Sequence, residues 1–589
     1  MNKPSPAIIA QAAVRRLPRW ALLLFCAAYI LPGFLGRGPW KNEDIAAFGV
    51  MHELTSAAAN WLQPQLLGKV TGFDALVPYW LGAWAIELLP FLDPALAVRI
   101  PFVMLLALTL TATWYAIYYL ALSPQAQPVA FAFGGEAKPV DYARAIADAG
   151  LLALIASLGL AQFSHETTPA LAQLGFTALA FYAMASSPYR RATKIIGPAL
   201  GLLAGMTGLA MSGAPTLALL LGVGGTLVEW THMRWGDSPG DSNPGSKRHS
   251  WQWVLLIGGI TLGVSLLSLS LDLWRWRIDL PGAGGESAWT ELRSLGRLLL
   301  WFTWPAWPLA LWTLWRWRRQ LASRHVALPL WFAGMAVAST FTTTAADRSL
   351  LLSLPPLAAL AAFALPTLKR SVASLIDWFT LLFFTGCAVI IWVIWVAMQT
   401  GVPRQPAANV AKLAPGFEPS FSLIAFVAAV TATLAWAWLV RWRTGAQRAA
   451  IWKSLVLPAG GATLCWLLLM TLWLPLLDYA RSLGPLSRQV ASLVDKKACV
   501  EIYGIESAQA AALQYHGQLE LRQASPQASC SYLVVDVNAQ STLSSAVNLP
   551  DWAFQASVRK PTDKTENMLV FKRVGLKTPS SSATTQKRP

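Results

Sequence analysis

RGPWKNEDIAAFGVMHELTSAAANWLQPQLLGKVTGFDALVPYWLGAWAIELLPFL, residues 37–92, decides how the rest of the chain is threaded. It lies between two stretches apolar enough to cross a bilayer, 19–36 and 96–122. Residues 45–58 and 79–89 have a helical, partly amphipathic pattern, but Pro64, Gly68, Gly72 and Pro78 interrupt it. Each piece is shorter than the roughly 20 residues that cross a hydrocarbon core. If both lie flat on the outer leaflet as interfacial helices, the next crossing starts outside at Pro94. The later basic clusters then fall on the inside: Arg190, Arg191 and Lys194; Lys247 and Arg248; Arg316, Arg318, Arg319 and Arg324; Lys369 and Arg370; Arg441, Arg443, Arg448 and Lys453. Counting 79–92 as a crossing would invert all of them, so Lys/Arg asymmetry favours the interfacial reading.

The composition agrees with a lipid-embedded chain. Of 589 residues, 55% are hydrophobic and 13% charged, against about 25% charged in soluble domains. The formal charge of +17, from 46 Lys+Arg and 29 Asp+Glu, is spent in short clusters between apolar spans and not along one face, which sets nucleic acid aside. Thirty tryptophans suit the membrane interface. Arg15, Arg16 and Arg19 before the first apolar stretch imitate a signal peptide, but no small-residue cleavage site follows, so the stretch reads as a retained helix. Further spans are expected at 144–163, 169–187, 193–211, 213–231, 252–272, 294–315, 327–344, 349–367, 378–398, 420–440 and 454–475. With the first two they give about thirteen transmembrane helices, N-terminus cytoplasmic. The outside loop near 273–297 breaks the charge rule with Arg275, Arg277, Arg293 and Arg297, a placement suited to an anionic head group or to snorkelling.

From Leu486 the pattern turns to mixed polarity, strand-like at 499–505, 519–523, 531–537 and 568–573 and helix-like at 507–516. The fold class is therefore an all-α polytopic membrane protein with a small C-terminal α/β extracytoplasmic domain. Its parts are a cytoplasmic N-terminus (1–18), a membrane domain (19–485) holding the first periplasmic loop (37–95), a periplasmic domain (486–576) and a disordered tail (577–589). Cys26, Cys387 and Cys465 sit in apolar spans as small core residues, while Cys499 and Cys530 are spaced to allow a disulfide if their domain faces an oxidising compartment.

The candidate chemistry lies at the outer water boundary. Glu43 and Asp44 follow the first span, where a carboxylate can take a proton from an acceptor hydroxyl; a solvated acidic pair at a helix start is the plainer reading. No Walker loop, His-Glu-x-x-His or Cys-x-x-Cys is present, and charges deep inside spans are nearly absent, which argues against an ion-coupled transporter. Asp377 and Asp478 sit at span ends and read as solvated caps.

Several pieces in order carry a resemblance. They are the acidic pair in Gly38-Pro39-Trp40-Lys41-Asn42-Glu43-Asp44, the Trp-x-x-Pro-x-Leu-x-Gly stretch from Trp61 to Gly68, Tyr79-Trp80, and Arg99-Ile100-Pro101. Trp304-Pro305-Ala306-Trp307-Pro308, and Arg348 ahead of Leu354-Pro355-Pro356, continue it. Over most of its length the chain resembles the bacterial lipid-linked sugar transferases that include aminoarabinose transferase and, more distantly, protein O-mannosyltransferases (glycosyltransferase family 39, GT-C fold).

The resemblance implies a glycosyltransferase of the bacterial inner membrane that moves a hexosyl or pentosyl group from a polyprenyl-phosphate donor to a lipid, glycan or protein acceptor on the periplasmic face. It implies a first-loop carboxylate as catalytic base: counting back from Trp61 gives Asp44, counting forward from Pro39-Trp40-Lys41 gives Glu43, and Asp44 is favoured. The family's Glu-Lys-Pro is replaced by Phe73-Asp74-Ala75, its Thr-Asp by Thr168-Pro169 and its Lys-Gly by Ser212-Gly213. His165 and Glu166 beside the replaced acid, the outside cations Lys69 and Arg348, and Arg275 or Arg277 are the candidate substrate-binding residues. No cofactor is named and no metal ligand set stands out, although a divalent metal is compatible. The alternative is a catalytically degenerate member that binds a lipid-linked substrate as a scaffold.

Overall fold

A computed structural model of the chain describes residues 5–40, 42–56, 59–70, 75–186, 196–235, 244–274, 288–342, 346–444, 450–495, 498–527, 530–563 and 566–574. Arg275, Arg277, Phe73-Asp74 and the tail 577–589 lie outside the described residues. The chain forms two compact units, one of Met1–Arg37, Gly72–Ala407 and Pro419–Pro475, the other of Gly38–Thr71, Ala408–Glu418 and Leu476–Pro589.

The first unit is helical. Five of its helices among the described residues are long and apolar enough to cross a membrane: Pro94–Ala121, Trp251–Ser270, Arg370–Thr400, Leu423–Arg443 and Ile451–Leu469. Arg19–Ile30, Ile196–Met211 and Leu354–Thr367 are apolar but shorter. Proline explains some of the shortening. The expected span 294–315 is two helices, Ala288–Phe302 and Ala306–Arg316, divided at Trp304-Pro305, where proline has no N–H to continue the ladder. The span expected from 349 begins its main helix at Leu354, with prolines in its first turn.

At the centre lies Pro139–Ala156, buried at every residue from Ala145 to Ala156. Buried all round, it packs against Pro94–Ala121, Leu354–Ala364 and Val456–Leu469, with its Asp148 accepting from the Trp114 indole at 2.9 Å. Pro169–Ser186 packs on Pro94–Ala121 and on Ile196–Met211. Arg324, the first residue of Arg324–Ser339, meets Glu229 at 3.2 Å with both side chains almost fully buried, so buried opposite charges pair at the start of this helix.

One end of this unit is knitted by the N-terminal segment. Gln11 N–H donates to Gly135 O, Arg16 pairs with Asp141 at 2.9 Å, and the Trp452 indole donates to Arg15 O at 2.7 Å. Residues 11–16, 135–141 and 452 thus share one end, the arrangement that charge asymmetry requires of them.

The second unit is built on strands β1 (Gln65–Leu66), β2 (Lys69–Val70), β3 (Cys499–Tyr503), β4 (Glu520–Gln523), β5 (Tyr532–Asp536), β6 (Trp552–Arg559) and β7 (Asn567–Arg573). The C-terminal sheet has the order β4-β3-β5-β7-β6, parallel across β4-β3-β5 and antiparallel across β5-β7-β6. The helix Ser507–Tyr515 is the crossover that parallel β3 and β4 need. Leu533, Val535, Leu543, Val547, Trp552 and Leu569 form a core beneath the sheet. Cys499 and Cys530 form a disulfide with Cα atoms 5.1 Å apart.

Residues of the first loop belong to this unit. The helix Glu43–Glu53, expected to lie on the outer leaflet, instead buries Asp44, Ile45 and Ala47 to Met51 and packs against Ser507–Tyr515. Phe48 sets its ring edge-on to Tyr515 with centroids 4.7 Å apart. A mixed apolar pattern cannot separate burial against lipid from burial against a helix more than 450 residues later, and here protein occupies the face. At Gly49 an added Cβ would stand 2.5 Å from Ala511 Cβ, so the two backbones meet only because position 49 has no side chain. Gly49→Leu is therefore expected to cost about 2 kcal/mol by overpacking. A lowered melting temperature with faster proteolysis between 43 and 71 checks this; an unchanged melting curve contradicts the packing.

Candidate functional site

The acidic pair opens the helix Glu43–Glu53, where carboxylates complement the positive helix end. Glu43 is half-buried and Asp44 is buried. Trp40 N–H donates to Asp44 Oδ2 at 3.0 Å, which fixes the direction of that carboxylate. The loop bearing Trp40 is tied down in turn by Asp478, whose Oδ1 accepts from Gly38 N–H at 3.0 Å and from the Trp40 indole at 3.1 Å. Arg481 lies 5.3 Å above the Trp40 ring. Asp478, read from sequence as a solvated cap, is a positioning residue for the stretch that carries Asp44.

The Trp61–Gly68 motif also acquires a structural meaning. β1 and β2 pair antiparallel through a two-residue turn, Leu67 at φ 50° and Gly68 at φ 74°, the doubly positive pattern of a type I′ hairpin. Leu67 is an unfavourable residue there, and its N–H donates to both Glu53 oxygens at 2.9 and 3.2 Å. The turn delivers exposed Lys69, whose Nζ donates to Ile505 O at 3.4 Å.

The remaining described candidates meet in the helical unit. Arg348 Nη2 bonds Glu166 Oε2 at 3.1 Å and its guanidinium lies 5.3 Å from the Phe163 ring centroid, so this cation and this acid are partners. Gln162 adds a longer contact to the other Glu166 oxygen at 3.4 Å. His165 is 1% exposed, with its ring against Tyr29, Phe34 and Trp466 and one ring nitrogen 3.1 Å from Tyr29 O. Its Cδ2 would be 2.2 Å from a Cβ at Gly33, which explains glycine there. Burial pushes the His165 pKa down to about 4, with Arg37 contributing in the same direction.

Two residues that sequence reasoning did not nominate hold this corner together. Arg37, buried at the end of the first apolar stretch, donates to Gly33 O at 3.0 Å and His165 O at 2.6 Å. Arg99, buried in the helix Pro94–Ala121, donates to Phe34 O at 3.1 Å. A guanidinium inside an apolar helix is itself the signal, since such residues are costly unless they serve a site or satisfy backbone. At the positions where the resemblance leads one to expect charge, Pro169 and Ser212 are buried, and Ser212 Oγ is spent on Gly208 O at 2.6 Å. Among the described residues no group of three or more His, Cys, Asp or Glu could hold a metal.

The buried imidazole makes stability pH-dependent. In the unfolded chain His165 takes up a proton below its ordinary 6.5, whereas folded it does so only near 4, so acid favours unfolding across that window. The loss reaches about 3 kcal/mol at its lower edge. Melting temperatures at pH 7 and pH 4.5 should fall more for the native protein than for His165→Asn; equal falls would contradict neutral burial.

No protein-family model matches the chain, and no curated protein matches it. Crystal structures of ArnT from Cupriavidus metallidurans do match in fold. The form bound to undecaprenyl phosphate aligns with a TM-score of 0.58 at 14% identity, covering 96% of this chain and 100% of that one. The apo form aligns at 0.56 and 15% identity, covering 94% and 97%. The chain is thus a mostly helical, multi-pass membrane protein with the fold of ArnT and a C-terminal mixed α/β sheet.

Proposed function

We propose that this protein is a bacterial inner-membrane glycosyltransferase of the GT-C type that transfers a sugar from a polyprenyl-phosphate donor to a lipid, glycan or protein acceptor on the periplasmic face. The observation that carries this reading is the whole-length fold correspondence with a protein solved with undecaprenyl phosphate bound. The sequence resemblance to lipid-linked sugar transferases supports it independently. In this reading the chain crosses the membrane about thirteen times, several of the crossings being the short helices, with the N-terminus cytoplasmic and the C-terminal unit periplasmic.

Asp44, with Glu43 as the neighbouring alternative, accepts the proton of an acceptor hydroxyl as that oxygen attacks the anomeric carbon. The bond from that carbon to the phosphate oxygen breaks, configuration inverts, and polyprenyl phosphate departs with the electron pair. A fixed carboxylate direction, which Trp40 N–H supplies, is what a general base requires. Stabilising the departing phosphate is the larger electrostatic task. Arg348, already oriented by Glu166, is the described cation proposed for it, with Lys69 and the outside-loop Arg275 and Arg277 as further contacts and His165 holding the loop beside Glu166.

A second reading is a chain that holds a lipid-linked substrate without turning it over. It is favoured by Pro169 and Ser212, uncharged and buried at positions where the resembled family is charged. Asp44→Asn and Glu43→Gln, made singly and together, separate the two. At least one single variant should lose transfer by about 10²-fold or more, the scale of general-base catalysis, while retaining its melting temperature. Full transfer in both single variants and in the double variant overturns the catalytic assignment.

A further inference from the structure

A deep apolar groove runs along the helical unit between Arg19–Ile30, Leu423–Thr444 and Val456–Leu469. It encloses about 580 Å³ and its walls are almost wholly apolar; Leu24, Ala28, Ala432, Ala435, Gly460 and Leu464 line its length. It is open sideways: Trp20, Leu24 and Trp438 on its edges are 68%, 62% and 62% exposed. An apolar channel open along a spanning helix offers hydrocarbon a place to lie, but does not itself say which molecule lies there.

The end of the groove does say. At the end shared by the N-terminal segment, Trp442 and Trp452 stack with ring centroids 6.2 Å apart and planes 7° from parallel. Lys453 places its ammonium 5.1 Å from the Trp442 ring centroid. Arg15, tied to Trp452 through its carbonyl, and Arg443 both act electrostatically on Lys453. Arg441 follows on the same helix, and Arg19 opens the first helix. Two described carboxylates at this end are each paired, Asp377 with Arg443 and Asp141 with Arg16. Positive charge therefore gathers at one mouth of a groove that is otherwise hydrocarbon-like. Tryptophan pairs belong at the depth where acyl chains give way to head groups, and basic clusters beside them attract anionic heads.

We propose that this groove is a binding site for an anionic diacyl phospholipid of the leaflet facing the N-terminus, with an acyl chain along Leu24–Leu464 and its phosphate at Lys453 and Arg15. A polyprenyl-phosphate donor is disfavoured as the occupant. A phosphate at this mouth lies by Arg15 and the first residue of Arg19–Ile30, whereas the Glu166–Arg348 pair follows His165, which bonds Tyr29 O at the other end of that helix. The site is thus separate from the proposed chemistry, and its failure would leave the glycosyltransferase reading untouched.

Native mass spectrometry of the full-length protein, exchanged from detergent into defined phosphatidylglycerol, phosphatidylethanolamine or undecaprenyl phosphate, tests the proposal. The native protein should retain one phosphatidylglycerol in preference to phosphatidylethanolamine. Ala435→Phe, which fills the groove, should abolish that retention. Lys453→Gln and Arg15→Gln should each weaken it about fivefold, the worth of one basic residue at a membrane surface, and Leu382→Phe on the lipid-exposed helix Arg370–Thr400 should not change it. Equal retention of the two phospholipids, native-like phosphatidylglycerol retention by the Lys453 and Arg15 variants, or displacement of phosphatidylglycerol by equimolar undecaprenyl phosphate would each overturn it. If Ala435→Phe does not fold, the two charge variants decide the outcome.

Discussion

Arg37 is the constraint from which the candidate site unfolds. Its guanidinium is buried yet spends itself on the carbonyls of Gly33 and His165. A charge buried this way costs several kcal/mol unless hydrogen bonds compensate it, so the pairing holds the end of the first apolar stretch against the loop 164–168. Arg99 does the same for Phe34. Loop 164–168 also holds Glu166, so the anchoring that positions His165 positions the acid that orients Arg348.

The acidic pair is positioned by a second set of restraints inside its own unit. Asp478 takes two donors from Gly38 and Trp40, Trp40 N–H turns to Asp44, and Gly49 lets the following helix seat against Ser507–Tyr515. Each restraint is modest alone; together they fix the direction of the Asp44 carboxylate and seat the helix behind it. The same unit carries the Cys499–Cys530 disulfide, which constrains β3 against the chain entering β5.

Much of this was legible before any coordinates. Lys/Arg asymmetry puts residues 11–16, 135–141 and 452 on one side, and the contacts of Gln11, Arg16 and Trp452 join them at one end. The order of Pro39-Trp40, the acidic pair, Trp61 to Gly68 and Tyr79-Trp80 was enough to name the fold that the ArnT comparison bears out. What could not be read were partnerships without a period or a spacing. Nothing local links Asp478 to Trp40 or Glu166 to Arg348, and a half-apolar helix at 43–53 looks alike whether a bilayer or the helix 507–515 covers it. Span ends were displaced wherever proline, as at Pro305, interrupts an apolar run that hydropathy alone treats as continuous.

The central claim is that the ArnT-like fold here still moves a sugar from a polyprenyl carrier. The most direct measurement is a mass comparison of lipid and glycan extracts from cells with and without the gene. The account predicts that one glycosylated species disappears and its polyprenyl-phosphate-linked sugar accumulates when the gene is absent. Identical extracts from both cells, under conditions where the protein is expressed, would contradict it.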